Sequence, residues 1–209
     1  MVLLLGSLAL AASFASRAEA DAAATGNASR GKQLAYTCLG CHGSANYENA
    51  YPMYRVPKLW GQHQDYIVSA LQGYRNGDRA HATMHAQASS MTDQDMLDIA
   101  AFLANAPAAA PAAAPVGTPP AAAQVCVACH GNDGVGIASM YPSLAGQYDD
   151  YLRRALNEYR KGGRKNAVMA NFASQLKDAD IEQLAAYYSH QHAVVDTVPK
   201  RTSRYSAAN

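Results

Sequence analysis

Two pentapeptides hold every cysteine of this 209-residue chain: Cys38-Leu39-Gly40-Cys41-His42 and Cys126-Val127-Ala128-Cys129-His130. Cys-x-x-Cys-His is the spacing of a c-type haem attachment site. Thiols three residues apart on one helical turn reach the two vinyl groups along one edge of a porphyrin. The histidine that follows is carried under the ring, where its imidazole binds iron. Paired zinc knuckles stand about 15–20 residues apart, whereas these motifs are 88 residues apart. Two dithiol redox sites would leave both histidines without a use. The expected cofactors are two covalently bound haem c groups, with His42 and His130 as iron ligands.

The second axial ligand separates a carrier from an enzyme, and an internal repeat selects it. An offset of 85 residues aligns Pro57 with Pro142, Gly61-Gln62 with Gly146-Gln147, Tyr66 with Tyr151 and Tyr74-Arg75 with Tyr159-Arg160. Arg79 aligns with Arg164 and Met84 with Met169 in the same register, so the chain is a tandem duplication. Met91 faces Leu176, Met96 faces Ile181, His63 faces Tyr148, His81 faces Asn166 and His85 faces Ala170. Only Met84 and Met169 keep one ligand type in both halves. A thioether opposite histidine is the pairing of electron-carrying cytochromes and raises the reduction potential. Both irons are then closed to substrate, with His85 the rival ligand in the first half. Met53 and Met140 follow too soon after the haem histidines and are expected on the proximal side. Arg79 and Arg164 are candidates to neutralise haem propionates; the alternative is a solvated surface arginine.

The elements that must position these residues are helical. Ile67, Ala70, Leu71 and Tyr74 fall at i, i+3, i+4 and i+7, repeated by Leu152, Ala155, Leu156 and Tyr159. Met96, Ile99, Ala100 and Leu103 do the same, matched by Ile181, Leu184, Ala185 and Tyr188. Thr92 and Asp95 predict a capping box; Lys177 stands at the matching site, so that cap is expected on Asp178. Gly31 is expected against Phe102. No alternating run predicts a strand, and the expected class is all-α, two tandem domains each wrapped around one haem.

Composition agrees. The hydrophobic fraction of 49% is mostly alanine, with three Phe and one Trp, so each half is short of apolar bulk unless a cofactor fills its core. A formal charge of +1 excludes an electrostatic case for nucleic acid or a polybasic membrane patch. Residues 1–20 read as a signal peptide, an apolar run followed by Ala18-Glu19-Ala20; no basic residue precedes the run, so the start codon is expected upstream. No later stretch is long and apolar enough to cross a bilayer. The expected divisions are 21–105 for the first domain, 106–124 for an Ala/Pro-rich spacer and 125–209 for the second domain. Lys200, Arg201 and Arg204 make a basic tail that reads as a solvated terminus; the alternative is contact with an acidic partner or a membrane surface.

The order Cys-x-x-Cys-His-Gly, Tyr-Pro-x-Leu-x-Gly-Gln, Tyr-Leu, Tyr-Arg-x-Gly-x-Arg and Met resembles class I cytochrome c. In tandem it resembles the dihaem cytochrome c4 family of bacterial periplasms. The resemblance implies two helical domains about a pseudo-twofold axis, with haems close across the interface. It makes Cys38, Cys41, Cys126 and Cys129 the thioether residues, and His42 with Met84 and His130 with Met169 the axial pairs. The carbonyls of Pro57 and Pro142 would accept the proximal imidazole N–H. It implies a periplasmic, non-enzymatic electron carrier between a quinol-oxidising cytochrome complex and terminal oxidases or reductases. The rivals are an electron-transfer subunit of a sulfur-oxidising flavoprotein and a dihaem peroxidase. Two departures qualify the match. Three extra residues separate His42 from Pro57, so the segment from Asn46 to Tyr54 is expected to loop differently. In the second half a proline-led stretch at Pro119 replaces the entry helix that begins near Gly31, leaving Tyr187 a poorer packing partner there.

Overall fold

The predicted capping box starts the helix on which the first half is built. In the computed structural model, which describes residues 25–107 and 114–199, the Thr92 hydroxyl accepts from the Asp95 N–H at 3.1 Å and Asp95 accepts from the Thr92 N–H at 2.9 Å. Five helices form this half: α1 (Ala28–Leu34), α2 (Leu39–His42), α3 (Gln64–Asn76), α4 (Ala82–Ala88) and α5 (Asp93–Ala104). The second half has a 3-10 turn (Ala121–Val125), α6 (Val127–His130), α7 (Asp149–Arg160), α8 (Ala167–Ser174) and α9 (Asp178–Ser189). Among the described residues there is no sheet, only three isolated bridges. The fold is all-α, with the predicted periodic residues Ile67, Leu71, Met96, Ile99 and Leu103 buried in one core and Leu152, Leu184 and Ala185 in the other.

Three local expectations need correction. Gly31 lets α1 cross α5, but its neighbour is Asp98: a Cβ there would lie 1.8 Å from the Asp98 carbonyl oxygen. Phe102 instead meets Trp60 edge-on at 5.3 Å. The cap of α9 rests on Asp180, which accepts from the Lys177 N–H at 2.9 Å; Asp178 is held outward by Arg160 at 2.6 Å. The proline-led entry of the second half makes the 3-10 turn, and its Ala123 is fully buried in one cluster with Tyr187. Tyr187 is tied down further by its hydroxyl, which donates to the Asn132 carbonyl at 2.7 Å.

The two halves meet about a local dyad that the 85-residue register makes visible. Arg79 and Arg164, equivalent residues, face each other in an antiparallel bridge. On either side, the Ala80 N–H donates to the Gly163 carbonyl at 2.8 Å and the Lys165 N–H to the Asp78 carbonyl at 2.7 Å. The inserted segment closes on itself through Asn49–Tyr54 and Val56–Tyr47 backbone bonds and reaches the other half. There the Asn46 N–H donates to the Tyr148 hydroxyl at 2.9 Å, and Arg55 pairs with Asp149 and Asp150. The expected spacer is pinned at its far end, where Gln191 exchanges two hydrogen bonds with the backbone of Val116, each 2.9 Å.

After α9 the chain returns to the first half. Asp196 and Trp60 exchange backbone hydrogen bonds of 2.9 Å, and the Val198 N–H donates to the His42 carbonyl at 3.0 Å. Val198, 1% exposed, belongs to the first half's core cluster. The expected signal segment and basic tail lie outside the described residues.

Two outcomes follow from this packing. Val198→Ala is expected to cost about 2 kcal/mol, the worth of two buried methyl groups plus the space they leave, read as a lower denaturant midpoint by the emission of Trp60. The Thr92 hydroxyl and N–H, together with Arg30, hold the Asp95 carboxyl down at about 2, below its unfolded value of about 3.9. Its stabilising contribution is therefore complete above about pH 4 and lost as pH falls through about 2. Asp95→Asn is expected to flatten that part of the acid unfolding profile.

Candidate functional site

Each Cys-x-x-Cys-His run folds as one short helical turn. The His42 N–H donates to the Cys38 carbonyl at 2.8 Å, and the His130 N–H to the Cys126 carbonyl at 2.9 Å. None of the four cysteines is in a disulfide. Burial pushes the Cys38 and Cys126 thiols up, which keeps them as neutral thiols near pH 7.

Both histidines are buried, and each ring is fixed through its Nδ1. That nitrogen lies 2.8 Å from the Pro57 carbonyl in His42 and 2.9 Å from the Pro142 carbonyl in His130. A carbonyl oxygen only accepts, so Nδ1 carries the proton and Nε2 keeps its lone pair. Burial lowers both imidazole pKa values, leaving neutral rings with one directed donor atom, the form that binds a metal.

Between the halves a cavity of about 810 Å³ opens beside His130, lined from the first half by Tyr66, Gly73 and Arg79, within the size range of cofactor sites. Cys126, Cys129, His130 and Pro142 line one part of it, Met169 another, and Leu144, Leu152, Leu156 and Phe172 its apolar wall. In the first half, Met84 packs against the cluster that contains Ile67, Leu71 and Ile99. His85 is exposed, its Nδ1 2.8 Å from the Tyr74 carbonyl. Met53 and Met140 are 74% and 64% exposed, and Met140 is among the residues that line the cavity beside His130. α4 and α8 present the two inner methionines alike: the His81 ring and the Asn166 side chain accept from the Met84 and Met169 N–H at 3.3 and 3.0 Å.

Arg79 and Arg164 are not solvated surface residues. Each is buried and lines the cavity beside His130. Arg79 packs over Tyr66 and Tyr74, and Arg164 over Tyr151 and Tyr159, with guanidinium-to-ring distances of 5.0 to 5.6 Å. Arg164 has a carboxylate partner, Glu158, at 2.6 Å. Arg79 donates to the Tyr66 hydroxyl at 3.0 Å, but its buried Nε meets no acceptor. Such a donor needs an anionic or carbonyl oxygen.

A macrocycle with carboxylate side arms fits these features together: an apolar slot, paired thiols at one edge, a prepared imidazole lone pair and an unanswered guanidinium. The family model described as Cytochrome c matches residues 28–107 and 121–191. Cytochrome c4 of Pseudomonas aeruginosa is 30% identical over 185 residues, spanning 81% of this chain and 90% of that protein. The chain belongs to the cytochrome c4 family. A protein of Stutzerimonas stutzeri described as thiosulfate dehydrogenase electron acceptor is 31% identical over 173 residues, spanning 75% of this chain and 79% of its own. The crystal structure of reduced recombinant cytochrome c4 from Pseudomonas stutzeri covers 80% of this chain and all of its own, with a TM-score of 0.63 and 27% identity. This cytochrome is accordingly a dihaem electron carrier with two covalently bound haem c groups, one for each Cys-x-x-Cys pair.

Two residues with a part in this site carried no role in the sequence argument. The Gln62 amide donates to the Ser143 carbonyl and its oxygen accepts from the Ser143 N–H, both at 2.9 Å. Gln147 treats Lys58 identically, at 2.9 and 3.0 Å. Lys58 and Ser143 directly follow Pro57 and Pro142, so each glutamine clamps the proximal proline segment of the opposite half. Glycines with positive φ at Gly61 (86°) and Gly146 (74°) turn the chain just before each glutamine. The signal was present in the repeat as the aligned Gly-Gln pairs, but their partners lie 81 and 89 residues away. Gln147→Leu leaves both backbone groups of Lys58 unpaired and is expected to cost about 2–4 kcal/mol in denaturant unfolding. Its NMR signature should fall on the first haem, and that of Gln62→Leu on the second.

Proposed function

We propose that this cytochrome is an exported, periplasmic carrier, not an enzyme, that passes single electrons from a quinol-oxidising cytochrome complex towards terminal oxidases or reductases. In this reading His42 and Met84 hold one iron and His130 and Met169 the other. When bound, each haem supplies reversible one-electron exchange. The chain's own part is to bind, orient and desolvate it: the Pro57 and Pro142 carbonyls orient the imidazoles, the apolar wall excludes water, and Arg79 and Arg164 answer propionate charge. One observation carries the reading: His130, with Nδ1 already engaged, and Met169 line one cavity. Two protein ligands on an iron leave no position for a substrate. In the first half, the exposure of His85 and the inward packing of Met84 favour the thioether.

Export is supported by the apolar leader read in residues 1–20 and by kinship with cytochrome c4. Among the described residues no helix is long and apolar enough to cross a membrane. A second reading makes the chain the electron acceptor of a sulfur-oxidising enzyme, and the thiosulfate dehydrogenase electron acceptor relative favours it. Co-purification of a stoichiometric enzyme subunit would select that reading over the soluble shuttle.

The ferric protein should show Met–iron charge-transfer absorption for two haems. Met84→Ala and Met169→Ala should each open one haem to carbon monoxide on reduction. A Met84→Ala protein whose first haem stays six-coordinate and unreactive would assign that position to His85 or another residue. Loss of the charge-transfer band at one haem of the wild type, with turnover of peroxide, would replace the carrier by a peroxidase.

A further inference from the structure

The cavity beside His130 is not closed by its own half. Helix α3 of the first half turns one face to each side of the interface. Ile67 and Leu71 are buried in the first core, while Tyr66, Ser69, Ala70 and Gly73 line the cavity that Cys126, Cys129 and Met169 also line. Gly73 makes room for Arg79: a Cβ there would come within 3.1 Å of the Arg79 Cγ and 3.2 Å of its Cδ. Arg79 lies across this glycine and forms part of the cavity wall, 8% exposed.

The repeat mates on α7 are filled differently. Arg154 stands where α3 has Ser69, and Glu158 where it has Gly73. Glu158 accepts from the Arg164 Nε at 2.6 Å and from the Arg154 Nε at 2.5 Å, so the chain itself answers the guanidinium on that side of the dyad. Arg79 has no such partner. It donates through Nη2 to the Tyr66 hydroxyl at 3.0 Å, and its Nε is buried without an acceptor. Among the described residues the two carboxylates of the cavity lining, Asp65 and Asp78, form no ion pair with it; Asp78 is drawn to Lys165 at 3.7 Å. A buried cation is costly unless an anion meets it, and an unmet buried donor adds to that cost.

We infer that Arg79, a residue of the first half, belongs to the binding site of the second haem, where its guanidinium answers a propionate of the group attached at Cys126 and Cys129. The chemistry fits, because a guanidinium is a planar fork of donors matched to a carboxylate. The contact is an ion pair with hydrogen bonds; no covalent bond forms or breaks. The second haem is thereby gripped from both halves, and its site is incomplete without α3.

This inference rests on the reading that the two arginines answer propionate charge, and it names the haem that Arg79 serves. The test is NMR of the reduced, isotope-labelled holoprotein. The Arg79 guanidinium protons should show Overhauser contacts to the propionate methylenes of the second haem, which is recognised by its own contacts to Cys126 and Cys129. Contacts to the first haem's propionates instead would overturn the inference while sustaining the broader reading; contacts to neither haem would overturn both. Arg79→Gln gives an independent readout. In the ferric variant the second haem's ring-methyl resonances should titrate on the acid side with a midpoint about one pH unit higher than in the wild type, because a neighbouring cation holds a carboxylate's pKa down. The first haem should move less, and Arg79→Lys, which keeps the charge without the fork, should recover most of the wild-type midpoint. An unmoved midpoint at the second haem, or an equal or larger shift at the first, would overturn the inference. If Arg79→Gln does not fold, the wild-type contacts decide.

Discussion

The structure depends on one hydrogen bond made twice, from an imidazole Nδ1–H to a proline carbonyl. With Nδ1 committed to Pro57 or Pro142, each ring has one tautomer, one orientation and one free lone pair. Proline suits this acceptor role because its fixed φ stiffens the carbonyl that follows. The surrounding elements keep that carbonyl in place. α2 and α6 aim the histidine, and a glutamine from the opposite half secures the residue after the proline on both its N–H and its C=O. Neither ligand environment is complete within its own half.

That reciprocity sets the energetics of the interface. Two like-charged guanidiniums at the dyad are removed from water, an arrangement that costs several kcal/mol unless each charge is answered. Four tyrosines receive them, offering ring faces and two hydroxyls. Burial pushes the Tyr151 phenol up to about 12, so it stays protonated. Among the described residues Arg164 pairs with a carboxylate, Glu158, whereas Arg79 does not and its buried Nε has no acceptor. The interface thus holds a buried, unanswered donor as well as the contact of two domains.

What was legible in the sequence is what repeats. Cys-x-x-Cys-His, the matched methionines, the prolines and the four long helices follow from spacing or a 3.6-residue period, and one 85-residue register holds all of them except the Cys-x-x-Cys-His motifs, which stand 88 apart. The Thr92–Asp95 cap is local in sequence and was equally readable. The remainder depends on contacts between the halves, where periodicity is silent. Nothing in Ala193–Pro199 announces that Val198 completes the other core, and Gln62 reads as an ordinary polar residue until Ser143 lies beside it. Arg79 and Arg164 looked as much like surface residues as buried ones, because the tyrosine cages that accept them form only in three dimensions. The caps of α5 and α9 diverge for a local reason: lysine has no acceptor, so only the Asp180 half of the box can form.

The returning segment at Asp196 and Val198 bears on how the molecule comes into being. A chain made from its amino end exposes Cys38 and His42 more than 150 residues before Val198 exists. Until then the His42 carbonyl lacks its partner and the first core lacks its last aliphatic side chain. The first core is therefore completed by a segment made only after the helices of the second half.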